Sequence, residues 1–328
     1  MLRVPLGVWP TAVQRADRLS SVLGGSGGDL WIKRDDLSGF SWGGNKVRTV
    51  EFLLAAAKAQ EATDIVLAGG PSSNFAALMA AGARVCGLGV HQVSYGEEPD
   101  HDVAALSVGR SLGTKVVFTG STDRSEMEVV AERYAADLLA KGARPYVVPR
   151  GGATAIGALG FFLAGEEIEA QTTDDQPVTI ILPLGSGGST AGLLAGLCLS
   201  QRPWRVHAIS VSRDPASIQG AIVEKAIRSA ELRGVSLAAE QITDRLLIHD
   251  GRDPGFGKVS KEQQELMSEI TSATGLLVDP TYNAKALWWL SNQRREGRFA
   301  DLPLLYWHTG GALGVIDHIR SLERTQPK

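Results

Sequence analysis

Apolar residues along this chain come in short runs that recur at helix-length intervals. Strand-like runs stand at 29–33, 65–67, 115–118, 146–148, 179–182, 206–211, 246–248 and 304–306. Between them lie stretches of helical length at 72–85, 125–139, 156–170, 189–199 and 260–274. The spacing of Val47, Val50, Phe52, Leu53 and Leu54 predicts a further helix opening at Lys46, and another is expected from Tyr282. A strand that is apolar on both faces must be covered on both. The alternation therefore predicts an α/β protein with two doubly wound domains and mostly parallel sheets. Ligands in that architecture bind beyond the carboxyl ends of strands, here in the cleft between domains.

Linker signals are modest. Gly151-Gly152 follows one strand and starts a long helix, and Thr172-Thr173-Asp174-Asp175-Gln176-Pro177 separates that helix from the next strand. The expected division is a discontinuous large domain, 1–48 with 153–328, and a small domain, 49–152. There is no internal repeat.

Composition narrows the class. The chain has 328 residues, 44% hydrophobic and 21% charged, enough to build a large core. A net charge of −3 with no block of like charges argues against a nucleic-acid partner. Cys86 and Cys198 are far apart in apolar stretches and read as small core residues. The six histidines show no metal-ligand spacing, so no metal is expected. No apolar run reaches membrane-spanning length, and Met1-Leu2-Arg3-Val4-Pro5 does not read as a secretion signal. A cytoplasmic protein with no membrane association is expected.

The chemistry stands at strand-to-helix joints. Ser41-Trp42-Gly43-Gly44-Asn45-Lys46-Val47-Arg48 follows a charged corner, Lys33-Arg34-Asp35-Asp36. Its lysine is either a solvated charge or an amine held desolvated and aimed, as attack on an aldehyde requires. Gly185-Ser186-Gly187-Gly188-Ser189 follows the strand at 179–182. Consecutive small residues let several N–H groups converge on an anion at a helix N-terminus, which favours phosphate binding over an empty turn. The segment is neither a Walker loop nor a dinucleotide fingerprint. In Gly69-Gly70-Pro71-Ser72-Ser73-Asn74 one serine is expected to cap the helix. The other hydroxyl, the Asn74 amide and free N–H groups would suit a substrate carboxylate. His308-Thr309-Gly310-Gly311 and Asp279-Pro280-Thr281-Tyr282-Asn283 form two more joints, with Tyr282 either a structural or a catalytic tyrosine.

With those residues in view, the chain resembles pyridoxal-phosphate enzymes of the tryptophan-synthase-β fold (fold type II). Within them it is most similar to the aminocyclopropane-carboxylate deaminase and D-cysteine desulfhydrase family. The resemblance runs from Arg15 to Gly311 and is strongest at Lys33 to Leu37, Gly43 to Arg48, Gly69-Gly70 with Ser73-Asn74, Asp279 to Tyr282, and His308 to Gly311. It implies pyridoxal 5'-phosphate as cofactor, a small amino acid as substrate and a homodimer. Lys46 would hold the cofactor through its aldehyde and later move protons at the substrate. Asn74 would bond the phenolic oxygen, and Ser186, Gly187, Gly188 and Ser189 would hold the phosphate. Ser73 would grip the substrate carboxylate, and Tyr282 would act over the reacting carbon as acid, base or gate.

The departures carry information too. A glutamate follows the matching tyrosine in the deaminases, where this chain has Asn283; Thr309 stands where they have leucine, as in the desulfhydrases. Phe256, in Gly255-Phe256-Gly257, replaces a second active-site tyrosine and contributes only an aromatic surface to substrate binding. Phe75-Ala76-Ala77 follows Asn74 where relatives carry a more polar set. Neutral Asn283 and Thr309 at the cofactor's ring nitrogen would favour expelling a β-leaving group over opening a cyclopropane ring. The expected reaction is β-elimination from a β-substituted alanine such as D-cysteine. Aminocyclopropane-carboxylate deaminase, cysteate sulfo-lyase, β-replacement and racemase activities share the motifs. A non-catalytic nucleotide-binding protein, with Lys46 idle, is the alternative of another class.

Overall fold

The computed structural model describes residues 2–25, 29–173, 178–299 and 302–325. Its strands are β1 (Val13–Arg15), β2 (Leu30–Arg34), β3 (Asp64–Ala68), β4 (Gly89–Ser94), β5 (Lys115–Phe118), β6 (Pro145–Val148), β7 (Thr179–Leu184), β8 (Arg205–Ser210), β9 (Leu246–Asp250) and β10 (Leu304–His308). They form two sheets, a six-stranded one in the order β1-β2-β10-β7-β8-β9 and a four-stranded one in the order β5-β4-β3-β6. Every pairing is parallel except β1 with β2.

The period-two geometry of a strand explains why both faces had to be apolar. Along β7, Ile180, Leu182 and Leu184 face one core, under the helices Ala155–Gln171, Gly188–Leu197 and Pro215–Glu231, while Ile181 faces the other. On β10, Leu305 and Trp307 alternate with Leu304 and Tyr306 in the same way. The small sheet repeats the plan. Ile65 and Leu67 pack under the helices Lys46–Ala59 and Asn74–Val85, and Val66 and Ala68 pack against Glu126–Ala140. Each such side chain taken from water contributes about 1.5–3 kcal/mol.

Two strands escape the hydrophobic pattern. β1 is too short and polar. β4 carries His91 and Gln92 in its middle, both buried. His91 bonds Asp64 Oδ1 at 3.0 Å and the Tyr134 hydroxyl at 3.1 Å, and Gln92 Nε2 donates to the carbonyls of Gly69 and Gly70 at 3.0 and 3.2 Å. Satisfied polar groups thus replace apolar ones inside a sheet. The boundary expected between residues 48 and 49 falls inside the helix Lys46–Ala59, which cannot be cut without breaking its hydrogen-bond ladder. The linker expected at 172–177 lies, for residues 174–177, outside the described residues. Cys86 and Cys198 are half-buried at the core's edge.

A buried ionic cluster fixes the helix that opens at Lys46. Arg48 forks onto Asp35 at 2.9 and 2.8 Å and reaches Glu167 at 2.9 Å, with its guanidinium 3.9 Å from the Trp9 ring centroid. Lys33, fully buried, pairs with the same Glu167. Burial alone would raise the Asp35 carboxyl, but Arg48 and the Trp307 indole N–H hold it below the usual carboxylate range.

Candidate active site

The carboxyl ends of β2, β3, β7 and β10 all open on one cavity of about 370 Å³, set between the two sheets. The chain reaches it first after β2. Gly43 has φ +72°, and a Cβ there would stand 2.2 Å from the Asp36 carbonyl, so only glycine allows the turn. The Asn45 N–H donates to the Thr309 carbonyl at 3.0 Å, which ties this turn to the end of β10. Lys46 then starts its helix. Its Nζ donates to the Gly151 carbonyl at 3.3 Å, and among the described residues no carboxylate pairs with it. Burial pulls its ammonium down to about 8. A desolvated amine of this kind is a competent nucleophile near neutral pH.

After β3 comes the second wall. Ser73 is the helix N-cap: its Oγ accepts from the Ala76 N–H at 3.2 Å, which leaves its own proton free to donate. Ser72 supplies the spare hydroxyl. Asn74 lines the cavity, and its buried Oδ1 has no partner among the described residues. A buried amide oxygen left without a bond costs about 1–3 kcal/mol, which a ligand donor at this position relieves.

After β7, Gly185, Ser186 and Gly187 turn into the helix Gly188–Leu197. Gly187 is left-handed at φ +88°, and the Ser189 hydroxyl accepts from Asn45 Nδ2 at 3.2 Å. The start of that helix faces the cavity with unpaired N–H groups, a cradle for an anion.

Asp279 organises the last joint. Its two oxygens accept from the backbone N–H groups of Thr281, Tyr282 and Asn283 at 2.9–3.0 Å, so it is consumed by the start of the helix Asn283–Arg295. Tyr282 lies against Gly185, where a Cβ would come within 3.0 Å of its ring, and meets Phe256 edge-on at 6.1 Å. Burial, with the nearby Asp279 charge, pushes the Tyr282 phenol up to about 12.

Lys46, Ser73, Asn74, Ser186, Gly187, Gly188, Ser189, Phe256, Tyr282 and Thr309 all line this one cavity. Asn283 does not. It is fully buried behind Thr309, its amide nitrogen donating to Asp279 Oδ1 at 2.6 Å and the Gly310 carbonyl at 2.8 Å. Its oxygen accepts from the Tyr306 hydroxyl at 2.5 Å and the Thr309 N–H at 3.2 Å. The expectation of Asn283 as a cofactor contact is therefore corrected: it sets the Thr309 corner, and Thr309 alone meets the cavity. Sequence reasoning gave no role to Asn45, although it stands in the Gly43 to Arg48 motif, and it missed Arg124, Arg150 and Arg213, which line the cavity from segments that carry no recognisable motif.

Residues 4–310 match the family described as "Pyridoxal-phosphate dependent enzyme". A putative 1-aminocyclopropane-1-carboxylate deaminase of Pyrococcus abyssi is 32% identical over 319 residues, 96% of this chain and 93% of the relative. A D-cysteine desulfhydrase of Klebsiella pneumoniae is 33% identical over 314 residues, 92% of each chain. The crystal structure of an ACC deaminase homologue superposes with TM-score 0.89 at 30% identity, covering 99% of this chain and 96% of that one. The unpartnered Asn74 oxygen, the desolvated Lys46 amine and the N–H cradle at Gly187–Ser189 fit a phosphorylated aldehyde. Fold, cavity and likeness agree, and the chain belongs to the family of pyridoxal-phosphate-dependent enzymes.

Proposed function

We propose that this enzyme is a lyase that eliminates the β-substituent of a β-substituted alanine such as D-cysteine, releasing an α-keto acid, ammonia and the leaving group. The observation that carries the reading is a neutral Thr309 at the cavity end where a ring-nitrogen partner is expected, while Asp279, the carboxylate among the described residues lining the cavity, is consumed by a helix start. The desulfhydrase and deaminase names of its relatives support the same class.

In this reading Lys46 would hold the cofactor's aldehyde carbon, Asn74 its phenolic oxygen, Thr309 its ring nitrogen, and Ser186, Gly187, Gly188 and Ser189 its phosphate. When bound, the cofactor supplies the electron sink for charge left at the substrate's α-carbon. Lys46 would take the α-proton, a role that burial favours by lowering its pKa to about 8. Tyr282 stays protonated there, so of its three candidate roles the acid fits best. Ser73, Ser72 and the N–H groups at the start of Asn74–Val85 grip the substrate carboxylate. Phe256 presents an aromatic wall without a proton, which suits leaving groups that depart as stable anions. The division into two domains, a homodimer and a cytoplasmic location complete the proposal. Light scattering that gave the mass of one chain would remove the dimer. Among the described residues, no helix is long and apolar enough to cross a membrane.

A panel of D- and L-β-substituted alanines, scored for keto acid, ammonia and leaving group, tests the reaction. Lys46→Ala should lower turnover by about 10²–10⁴-fold or more, the range for losing a positioned base. Ring opening of aminocyclopropane carboxylate, with no elimination from any alanine derivative, would overturn the reading.

A further inference from the structure

We propose that Arg124 and Arg213, helped by Arg150, form a second anion site in this cavity, which narrows the substrate from β-substituted alanines in general, D-cysteine with its neutral thiol included, to an amino acid whose β-substituent is itself negatively charged. The inference rests on the elimination reading only for its last step. All three arginines line the cavity, yet they come from three separate segments. Arg150 has a partner, Glu128, at 2.5 Å. Among the described residues no carboxylate pairs with Arg124 or Arg213. Asp214, beside Arg213, is turned to other work: it caps the helix Pro215–Glu231 and lies 3.6 Å from Arg252. Burial lowers the Arg213 guanidinium, repulsion from Arg150 and Arg124 lowers it further, and Glu128 only opposes this. Three like charges facing one cleft leave a positive field there that an anion would fill.

Their position points to the substrate side. Arg124 is held between two rings, 4.9 Å from Tyr95 and 4.2 Å from Phe256. Tyr95 packs on Gly70, beside the proposed carboxylate grip, and Phe256 packs on Tyr282. The guanidinium therefore roofs the space between the two groups expected to touch the substrate, with its planar fork available for an oxyanion. The same charge assists the reaction. As the α-proton passes to Lys46, its bonding pair forms the Cα–Cβ double bond, and the Cβ–substituent bond breaks with its pair on the departing anion. Water then hydrolyses the released enamine to keto acid and ammonia. An arginine cluster stabilises the departing anion without needing the proton that Phe256 cannot give.

Isothermal titration of the holoenzyme with aspartate and asparagine, each as D and L forms, separates charge from shape in ligands that carry no displaceable group. The expected result is aspartate bound about tenfold or more tighter than asparagine at low salt, the size of one charge-assisted contact. Arg213→Gln and Arg124→Gln should each erase that preference while asparagine changes less than about threefold, and Arg213→Lys should keep part of it. Asparagine bound as tightly as aspartate overturns the site. So do variants that weaken pyridoxal phosphate itself, titrated into apo-enzyme by absorbance, with the aspartate-to-asparagine ratio unchanged; the arginines would then serve the cofactor's phosphate. Comparing O-phosphoserine with O-acetylserine tests turnover separately. If neither is cleaved while the aspartate preference stands, the anion site holds and only the elimination reading falls.

Discussion

Two groups of charged side chains reach the neighbourhood of Lys46, and they are built in opposite ways. Behind it, Arg48 and Lys33 meet Asp35 and Glu167 in a closed set in which each charge touches its opposite, with side chains only 0–12% exposed. In front of it, Arg124, Arg150 and Arg213 line the cavity, and among the described residues only Arg150 of the three has a paired carboxylate, Glu128. A closed set is structural, because desolvated charges persist only when matched. An open set at a cleft, only partly buried, costs the fold little and leaves a field for something that is not protein. Lys46 stands between them with a carboxylate from neither, so burial alone sets its proton.

Breaking the closed set should give the largest effect. Arg48→Met leaves Asp35 buried without its counter-charge, and the loss should be about 3–5 kcal/mol, read from thermal or urea unfolding. Next comes the proton on Lys46. Its pKa is lowered, so the neutral amine that captures an aldehyde becomes more abundant as pH rises. Capture of pyridoxal phosphate by apo-enzyme should quicken about tenfold per pH unit up to about 8 and level off above it. A flat profile between pH 6 and 8 would mean that the amine is already neutral. Salt sharpens the contrast further. Raising ionic strength from about 0.05 to 0.5 M should shrink the aspartate preference several-fold, while the unfolding midpoint moves little, since screening reaches the exposed charges first. The smallest effect is on stability at the open set. Arg213→Gln should change unfolding free energy by no more than about 0.5 kcal/mol, and a larger loss would show that this arginine supports the fold.

The same contrast explains what could be read from the chain. Strands such as 179–182 and 304–306 announced themselves because both faces are apolar, and the strand-end joints announced themselves because small residues and a lysine stand together locally. β4 did not, because His91 and Gln92 find their partners on Asp64, Tyr134 and the Gly69-Gly70 carbonyls, across the fold. Arg124, Arg150 and Arg213 were invisible for the same reason. An arginine in a loop looks alike whether it faces water or a cleft, and only the fold brings these three together. Asn283 shows the converse. Its place in the chain, next to Tyr282, suggested a cofactor contact, but the helix start turns its side chain inward onto Asp279, Gly310 and Tyr306.

One feature of the sheet bears on how the protein comes into being on the ribosome. The strand that joins β2 to β7 is β10, the last one made, and it lies in the middle of the large sheet. Until residues 304–308 have been synthesised, β2 and β7 are facing edges with no strand between them, and unpaired strand edges invite association with other chains. The carbonyl that receives the Asn45 N–H belongs to Thr309, so the turn before Lys46 gains that bond only when nearly the whole chain exists. A nascent or truncated chain ending before residue 304 thus has its reactive lysine but not the frame that aims it.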